Sequence, residues 1–155
     1  KKYIKSEIYH SYSKKVVFIE DYAFLINALN DLYDNTLNFK YKDLASKLAK
    51  EAITKFYIKN KNIFQKNQIN NNDAFYNPVD IGDNTIPNGN AIMLINFVKL
   101  GMMDDAKKLS DSLNGYLNIY KSHMMTALRA IDFFNNIKDG KNCNEQGCKI
   151  DVKKD

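Results

Sequence analysis

The chain has 155 residues, of which 45% are hydrophobic and 26% are charged, and this is enough to build the buried core of one domain. The net charge of +5 comes almost wholly from lysine, because Arg129 is the only arginine, and the lysines are scattered through the predicted helices. Nucleic-acid-binding proteins usually cluster their basic residues and use arginine for bidentate contacts. The composition therefore argues against a nucleic-acid partner.

The sequence also disfavours a membrane protein and a small secreted domain. The longest uninterrupted apolar run, 91–95, is far shorter than the roughly 20 residues of a transmembrane helix. Two cysteines, Cys143 and Cys148, are too few for a disulfide framework. We therefore expect a cytoplasmic protein with no membrane partner. Because the sequence begins KKYIKSEIYHSY, without a methionine, we expect it to be a piece of a longer protein.

Five segments have the apolar periodicity of α-helices. In the first two, 18–33 and 41–56, apolar residues recur at steps of three and four. The third, GNAIMLINFVKL at 89–100, is apolar nearly all round and is expected to be buried on most sides. The fourth covers 104–120. The fifth is marked by apolar residues at helical spacing, namely Met124, Leu128, Ile131 and Phe134. A short β-ribbon is expected around NIFQKNQI.

The five helices differ in how their charges are distributed. The first, third and fifth carry few charges in mid-helix, whereas the second and fourth place lysine and acid on a solvated face. Such alternation of inner and outer helices is what a ring of antiparallel helical hairpins requires. The unequal spacing of the helices argues against a simple solenoid. The predicted fold class is all-α.

The polar residues of the chain are concentrated just before the three inner helices. If these helices are parallel, their N-terminal ends lie at one rim, where unpaired N–H groups and positive dipole ends also gather. The polar residues of those segments are His10, Glu20, Asp21, Asp80, Asp83, Asn84, Asn88, Asn90 and His123. The sequence therefore predicts a site at this rim.

Several of these segments resemble the motifs of one widespread family. FIEDYAFLINALNDLYD resembles its FLEDYAFLIEALLDLYE type of motif, and HSY at 10–12 matches the segment before it. DIGDNTIPNGNA resembles its DxxDxxxPSGNS loop, although Asn88 replaces the usual Ser and Asn84 stands where Gly is common. The tail CNEQGCKIDV resembles its C-x4-C ending. The family joins a thioredoxin-like domain to a six-hairpin glycosidase-like domain, and its mammalian member is spermatogenesis-associated protein 20.

This resemblance implies an architecture and a partner. It implies that 1–137 form antiparallel helical hairpins, about half of an (α/α)6 six-hairpin glycosidase-like ring, and that 138–155 form a C-terminal tail. It also implies a thioredoxin-like domain in the parent chain. The family's fold resembles that of sugar epimerases and glycoside hydrolases. Because a half-ring leaves apolar helix flanks uncovered, we expect the isolated chain to self-associate.

The leading functional hypothesis is a carbohydrate-active domain that binds a sugar or sugar derivative, with epimerase-type or glycoside-hydrolase-type acid/base chemistry. Paired carboxylates serve as acid and base in glycoside hydrolysis, and sugar rings pack on aromatic faces. The candidate catalytic residues are Glu20, Asp21 and Asp83. The candidate ligand-binding residues are His10, Tyr12, Tyr22, Asp80, Asn90 and His123. No phosphate loop, dinucleotide fingerprint or zinc motif is present in the sequence, so neither a cofactor nor a metal is expected.

Each candidate also has a structural interpretation. One of Glu20 and Asp21 can cap the first helix, Asn88 can cap the third, and Asp80 and Asp83 can brace the loop between them. The alternative function is therefore a non-enzymatic scaffold that presents partners to the thioredoxin-like domain. A catalyst requires two carboxyls that converge on a cavity, whereas a scaffold would pair its acids with backbone N–H groups.

The two cysteines leave a second question open. Zinc and redox sites favour C-x2-C, but Cys143 and Cys148 are separated by four residues, and no other ligand cluster lies nearby. Structural thiols or a clasp in the tail are favoured over a reversible disulfide.

Overall fold

The computed structural model describes residues 8–11, 16–69, 78–139, 143–144 and 147–148. Five α-helices account for most of them: α1 (Ile19–Thr36), α2 (Phe39–Phe56), α3 (Gly89–Leu100), α4 (Met103–Leu117) and α5 (Met125–Lys138). A 3-10 helix, Lys121–His123, precedes α5. The predicted all-α class is confirmed, and each predicted helical segment corresponds to one helix.

The starts and ends of the helices follow from local chemistry. Asn38 and Asn88 cap α2 and α3, since their side chains accept the backbone N–H groups of Lys40 and Ala91. This confirms the N-cap predicted at Asn88. α3 ends at Gly101, whose φ of 74° lies in the left-handed region that glycine adopts without strain.

Helix α3 lies at the centre of the fold. It packs against α1, α2, α4 and α5, and its residues 89–98 are all buried. The surrounding helices bury one face each, and their inward residues join those of α3 in a single apolar core. The prediction that this nearly all-apolar helix is buried on most sides is confirmed, because four neighbours cover it.

Helices α1 and α3 run in the same direction. At one end, the backbone of Gly89 lies against the side chain of Glu20, and towards the other end Lys99 Nζ lies 2.8 Å from Asp31 Oδ1. A buried amide pair joins the middle of the two helices, where Asn30 Nδ2 donates to Asn96 Oδ1 at 3.2 Å.

The start of α5 lies beside the start of α3. Asp83, in the loop that leads into α3, accepts a hydrogen bond from the backbone N–H of Thr126 in the first turn of α5. The N-terminal ends of α1, α3 and α5 are therefore neighbours, as the sequence predicts.

A small β-hairpin follows α2. Its strands β1 (Tyr57–Ile58) and β2 (Ile63–Phe64) pair antiparallel, and an isolated bridge joins Phe18 to Asn67. This confirms the ribbon predicted around NIFQKNQI. The bridge matters for the site because it places the chain after β2 against the start of α1.

The C-terminal tail contains a second two-stranded ribbon. Strands β3 (Cys143–Asn144) and β4 (Gly147–Cys148) pair antiparallel, with Cys143 opposite Cys148 in the backbone register. The side chains of both cysteines lie outside the part of the structure that is described. The preference for structural thiols or a clasp over a reversible disulfide therefore stays a prediction.

Two residues of the predicted apolar face of α1 are not in the core. Leu25 is 39% exposed and Leu32 is 44% exposed, because α1 packs against α2 and α3 with its opposite side. Among the described residues, no helix combines the length and the apolar character that crossing a membrane requires.

Candidate functional site

A cavity of about 360 Å³ lies where α1 and α3 begin. Its polar walls come from three separate parts of the chain. The loop before α1 supplies His10, the first turn of α1 supplies Glu20, and the segments on either side of 70–77 supply Lys66 and Asp80. Phe18 and the loop residues 84–88 complete the wall.

Glu20 is the most unusual ionisable group of this cavity. Its side chain packs against α3, where a Cβ built on Gly89 would lie only 3.3 Å from Glu20 Cγ. A side chain at position 89 would therefore require the side chains of Glu20 and Ile19 to shift by a few tenths of an ångström. Glu20 Oε2 is buried and has no hydrogen-bond partner among the described residues.

The surroundings of Glu20 raise the pKa of its carboxyl above the ordinary value of 4.5, and burial is the main cause. The negative charges of Asp80 and Asp21 act in the same direction. A hydrogen bond from its own backbone N–H and the positive charge of Lys66 lower the pKa but do not compensate for burial. The cavity thus makes ionisation of the Glu20 carboxyl less favourable than it is in water.

Asp80 faces the same cavity and is held by its backbone. Its carbonyl oxygen accepts hydrogen bonds from the side-chain amides of Asn88, at 2.7 Å, and Asn90, at 3.1 Å. Its carboxylate lies 3.6 Å from Lys66 Nζ, and that ammonium group also lies 6.0 Å from the centre of the Phe18 ring. Lys66 and Asp80 thus form an open ion pair at the cavity wall.

Asp21 connects the start of α1 to His10. Its Oδ2 accepts the backbone N–H of Phe18 at 2.9 Å, which is the bond that a carboxylate at the third position of a helix makes to the cap residue. Its Oδ1 lies 2.9 Å from His10 Nδ1. Asp21 therefore serves as a helix cap and as a fixed partner for the imidazole.

Asp83 is bonded to backbone groups through both of its oxygens. Oδ1 accepts the N–H of Asn88 at 3.0 Å, and Oδ2 accepts the N–H of Thr126 at 2.7 Å. Its own N–H donates to the carbonyl oxygen of His123 at 2.6 Å. Asp83 does not line the cavity. These contacts join the starts of α3 and α5, which is a bracing role.

Asn90 is a buried connector. Its Oδ1 accepts the N–H of Phe64 at 2.8 Å, while Nδ2 donates to the carbonyl oxygens of Phe64, at 3.0 Å, and Asp80. These bonds supply the partners that an amide inside a buried helix was expected to need. Asn90 therefore attaches β2 and the Asp80 loop to α3.

Tyr22 lies away from the cavity, in the contact between α1 and α2. It is fully buried, its hydroxyl donates to Glu51 Oε1 at 2.6 Å, and Lys55 Nζ donates to the same hydroxyl at 3.0 Å. Burial, followed by the hydrogen bond to Glu51, raises the pKa of Tyr22 to about 12. The hydroxyl of Tyr22 is thus hydrogen-bonded to two residues of α2.

The structure brings together three of the predicted site residues, His10, Glu20 and Asp80, with Asp21 directly behind His10. It places Asp83, Asn90 and Tyr22 in the contacts between elements. The ring of His123 is exposed and does not line the cavity, and Tyr12 lies outside the described residues.

Lys66 and Phe18 are cavity residues that the sequence did not single out. Lys66 reaches the cavity because of the bridge between Phe18 and Asn67 and because its N–H donates to the carbonyl oxygen of Pro78 at 3.0 Å. Both are contacts between distant parts of the chain, which periodicity cannot reveal. Because Phe18 is apolar, the sequence indicated a core residue, whereas in the structure Phe18 lines the cavity.

The assembled groups can supply acid/base chemistry. The cavity contains a carboxyl held towards its neutral form, a carboxylate, an ammonium group and an imidazole with a carboxylate partner. Within the described part of the chain, no three His, Cys, Asp or Glu side chains are grouped so that they could hold a metal ion. The groups that line the cavity can take part in hydrogen bonding and proton transfer.

Neither a protein-family model nor a curated protein sequence matches the chain. The resemblance carried by the four quoted segments therefore stays a prediction.

Proposed function

We propose that the cavity binds a sugar or sugar derivative and that Glu20 acts on it as a proton donor. The observation that carries this proposal is the Glu20 carboxyl, which lies in the cavity wall with a raised pKa and a buried oxygen that has no partner in the described part of the chain. Burial of a carboxyl is the usual way in which an enzyme keeps a general acid protonated near neutral pH.

The size and lining of the cavity suit a single sugar unit. Its volume of about 360 Å³ equals that of about a dozen water molecules at roughly 30 Å³ each, which is enough for a hexose together with some water. Asp80 and Lys66 supply an acceptor and donors for hydroxyl groups, while Ile86 and Pro87 supply apolar surface for a ring face.

The arrangement of the helices supports the architectural part of the proposal. α1, α3 and α5 begin at one place, and α2 and α4 pack on them from the sides. We propose that these hairpins are about half of an (α/α)6 ring, with the cavity at its rim. Epimerase-type or glycoside-hydrolase-type chemistry follows from the acid/base groups there, whereas Asp21 and Asp83 are assigned structural roles.

The test is sugar binding by the whole chain and by Glu20→Gln, which keeps the shape of the side chain but cannot ionise or donate a proton. Isothermal titration calorimetry with neutral hexoses, amino sugars and uronic acids should find a ligand of the wild type that Glu20→Gln binds at least tenfold more weakly. Asp132→Asn, an exposed change on α5, is the matched control and should bind like the wild type. Equal binding by both variants would contradict the role of Glu20.

A non-enzymatic scaffold is the second candidate function. It is favoured by Asp21 and Asp83, whose carboxylates accept backbone N–H groups at helix starts, as bracing residues do. If no sugar in the panel binds to the wild type, the carbohydrate hypothesis fails and the scaffold is preferred. The resemblance then directs the search to the thioredoxin-like domain as its partner.

A further inference from the structure

The cavity contains a second group that is arranged for proton transfer. Asp21 Oδ1 lies 2.9 Å from His10 Nδ1, and the same imidazole lines the cavity that holds Glu20. We propose that His10 is the base of the site, with Asp21 as its positioning residue and Glu20 as the matching acid, and that the bound sugar reacts by proton transfer at the carbon beside its carbonyl. This inference rests on the proposed function.

The contact with Asp21 determines which nitrogen of His10 can act as a base. An ionised carboxylate only accepts hydrogen bonds, so Nδ1 carries the proton in that contact and Nε2 of the neutral ring retains its lone pair. An imidazole oriented by a carboxylate through one nitrogen, with the other facing a reactant, is the arrangement by which enzymes use histidine as a general base.

His10 is also held by contacts other than that with Asp21. Its backbone N–H donates to the carbonyl oxygen of Val16 at 2.9 Å, and its ring packs edge-on against Phe18 with 5.0 Å between the ring centres. The side chain remains 57% exposed, so Nε2 is accessible to a ligand. The charged groups that share this environment are Asp21, Glu20, Asp80 and Lys66.

Each proton and electron pair of the proposed step has a source and a destination. In the open-chain form of an aldose, Nε2 of His10 takes the proton from the carbon beside the carbonyl. The electron pair of that C–H bond forms a C=C bond, and the carbonyl oxygen receives the π electrons together with the proton of Glu20. The product is an enediol beside an imidazolium and a carboxylate.

Return of the protons completes the reaction without an oxidant or a further reactant. Delivery from the imidazolium to the same carbon regenerates the aldose with a hydrogen from the solvent. Delivery to the neighbouring carbon, with the proton of the second hydroxyl passing to the Glu20 carboxylate, gives the ketose. Hydrolysis by two carboxyls, Glu20 and Asp80 acting through a water molecule, is the competing chemistry, and it leaves the C–H bond at that carbon intact.

Deuterium exchange separates these chemistries. The whole chain would be incubated in D₂O with D-glucose, D-mannose and N-acetyl-D-glucosamine, and the hydrogen on carbon 2 would be followed by proton NMR. Exchange catalysed by the wild type is expected, because the imidazolium of His10 exchanges its proton with the solvent. His10→Gln should reduce the exchange rate by about 100-fold or more.

Two further variants distinguish a base from a structural residue. His10→Gly should regain exchange when free imidazole is added, which a purely structural loss would not do. Asp21→Asn should change the pH profile of exchange, and the ring ¹⁵N shifts of His10 should show loss of the Nδ1–H tautomer. Unchanged exchange in His10→Gln, or no rescue by imidazole, would overturn the assignment of the base.

The outcomes keep this inference separate from the proposed function. If a sugar of the exchange set binds to the wild type and depends on Glu20 but exchanges no deuterium, the role of His10 is overturned while sugar binding stands. If no sugar binds to the wild type, the proposed function fails first and this inference fails with it.

Discussion

Asp83 and Glu20 are both acidic, both lie next to the start of α3, and both are predicted catalytic residues, yet their surroundings differ. Asp83 accepts backbone N–H groups through both oxygens, one from Asn88 and one from Thr126. Glu20 has a buried oxygen without a partner among the described residues, and its pKa is raised. The first carboxylate stabilises the fold, and the second is the one to which we assign a role with a ligand.

Position along the helix explains a similar contrast between neighbours in α1. Asp21 is the third residue of the helix, from which a carboxylate reaches back to the N–H of Phe18. Glu20 is the second residue, and its side chain points towards α3 instead. Two adjacent acids therefore acquire different roles because successive helical residues face different directions. A pair of acids at a helix start is not a catalytic pair by itself.

The largest effect on stability is expected for Asn90→Ala. The substitution leaves the N–H and the carbonyl oxygen of Phe64 without their buried partner and removes one of the two amide donors to the carbonyl oxygen of Asp80. Since an unsatisfied buried polar group costs about 1–3 kcal/mol, the free energy of unfolding should fall by about 3 kcal/mol. Urea unfolding followed by circular dichroism measures it. Asn135→Ala, at an exposed position of α5, is the control, and an equal loss in both would refute the role of Asn90.

A slightly smaller loss, of about 2 kcal/mol, is expected for Asp83→Ala, because two backbone donors at helix starts lose a charged acceptor. Asp83→Asn should recover only part of the loss, since an amide offers one acceptor oxygen and places an N–H group beside a donor. The same unfolding assay compares the variants. If Asp83→Ala were as stable as the wild type, the contrast with Glu20 would break down.

The sequence predicted the helices and the polar residues between them, but it did not predict which partners those polar residues contact. Periodicity located the five helices, and the run of apolar residues in α3 identified the central one, because burial imposes both patterns. The turn chemistry around Asn88 identified the start of α3. Asp83 and Asn90 were recognised as polar residues needing partners, but the partners lie 43 and 26 residues away along the chain, and no local pattern encodes them.

The cavity residues show the same limit. Glu20, Asp80 and His10 were found because carboxylates and imidazoles are chemically conspicuous. Lys66 was not, since it is one lysine among many and reaches the cavity only through a long-range bridge beside it. Tyr22 was predicted to bind a sugar because it is an aromatic residue beside two acids. The geometry of α1 instead directs its side chain to α2, where its hydroxyl donates to Glu51.

Tyr22→Phe should cost about 1 kcal/mol, because the ring stays buried and only the hydrogen bonds to Glu51 and Lys55 are lost. The pKa of the hydroxyl is raised from 10.0 to about 12 in the folded protein, so its contribution is present below pH 10 and is lost as the pH rises towards 12. Unfolding curves of both proteins across this range measure the effect. A sugar that binds the wild type should bind Tyr22→Phe equally well. Weaker binding by the variant would mean that Tyr22 contributes to the ligand site after all.

The smallest expected effect, and the one that best sharpens the comparison, is the pH dependence of Glu20→Gln. The pKa of Glu20 is raised in the folded state, so its contribution to stability is complete below the unfolded value of 4.5 and is lost as the pH rises through the folded value. Glutamine cannot ionise. The variant should therefore gain stability relative to the wild type as the pH rises from 4.5 through the raised pKa of Glu20.

The measurement is the free energy of unfolding of both proteins at several pH values. The ionisable groups around Glu20 are Lys66, Asp80, Asp21 and His10, all of which the variant keeps, so their titration contributes to both curves. Parallel curves for the two proteins would mean that Glu20 ionises as freely in the fold as in the unfolded chain. In that case the cavity would have no carboxyl prepared to donate a proton.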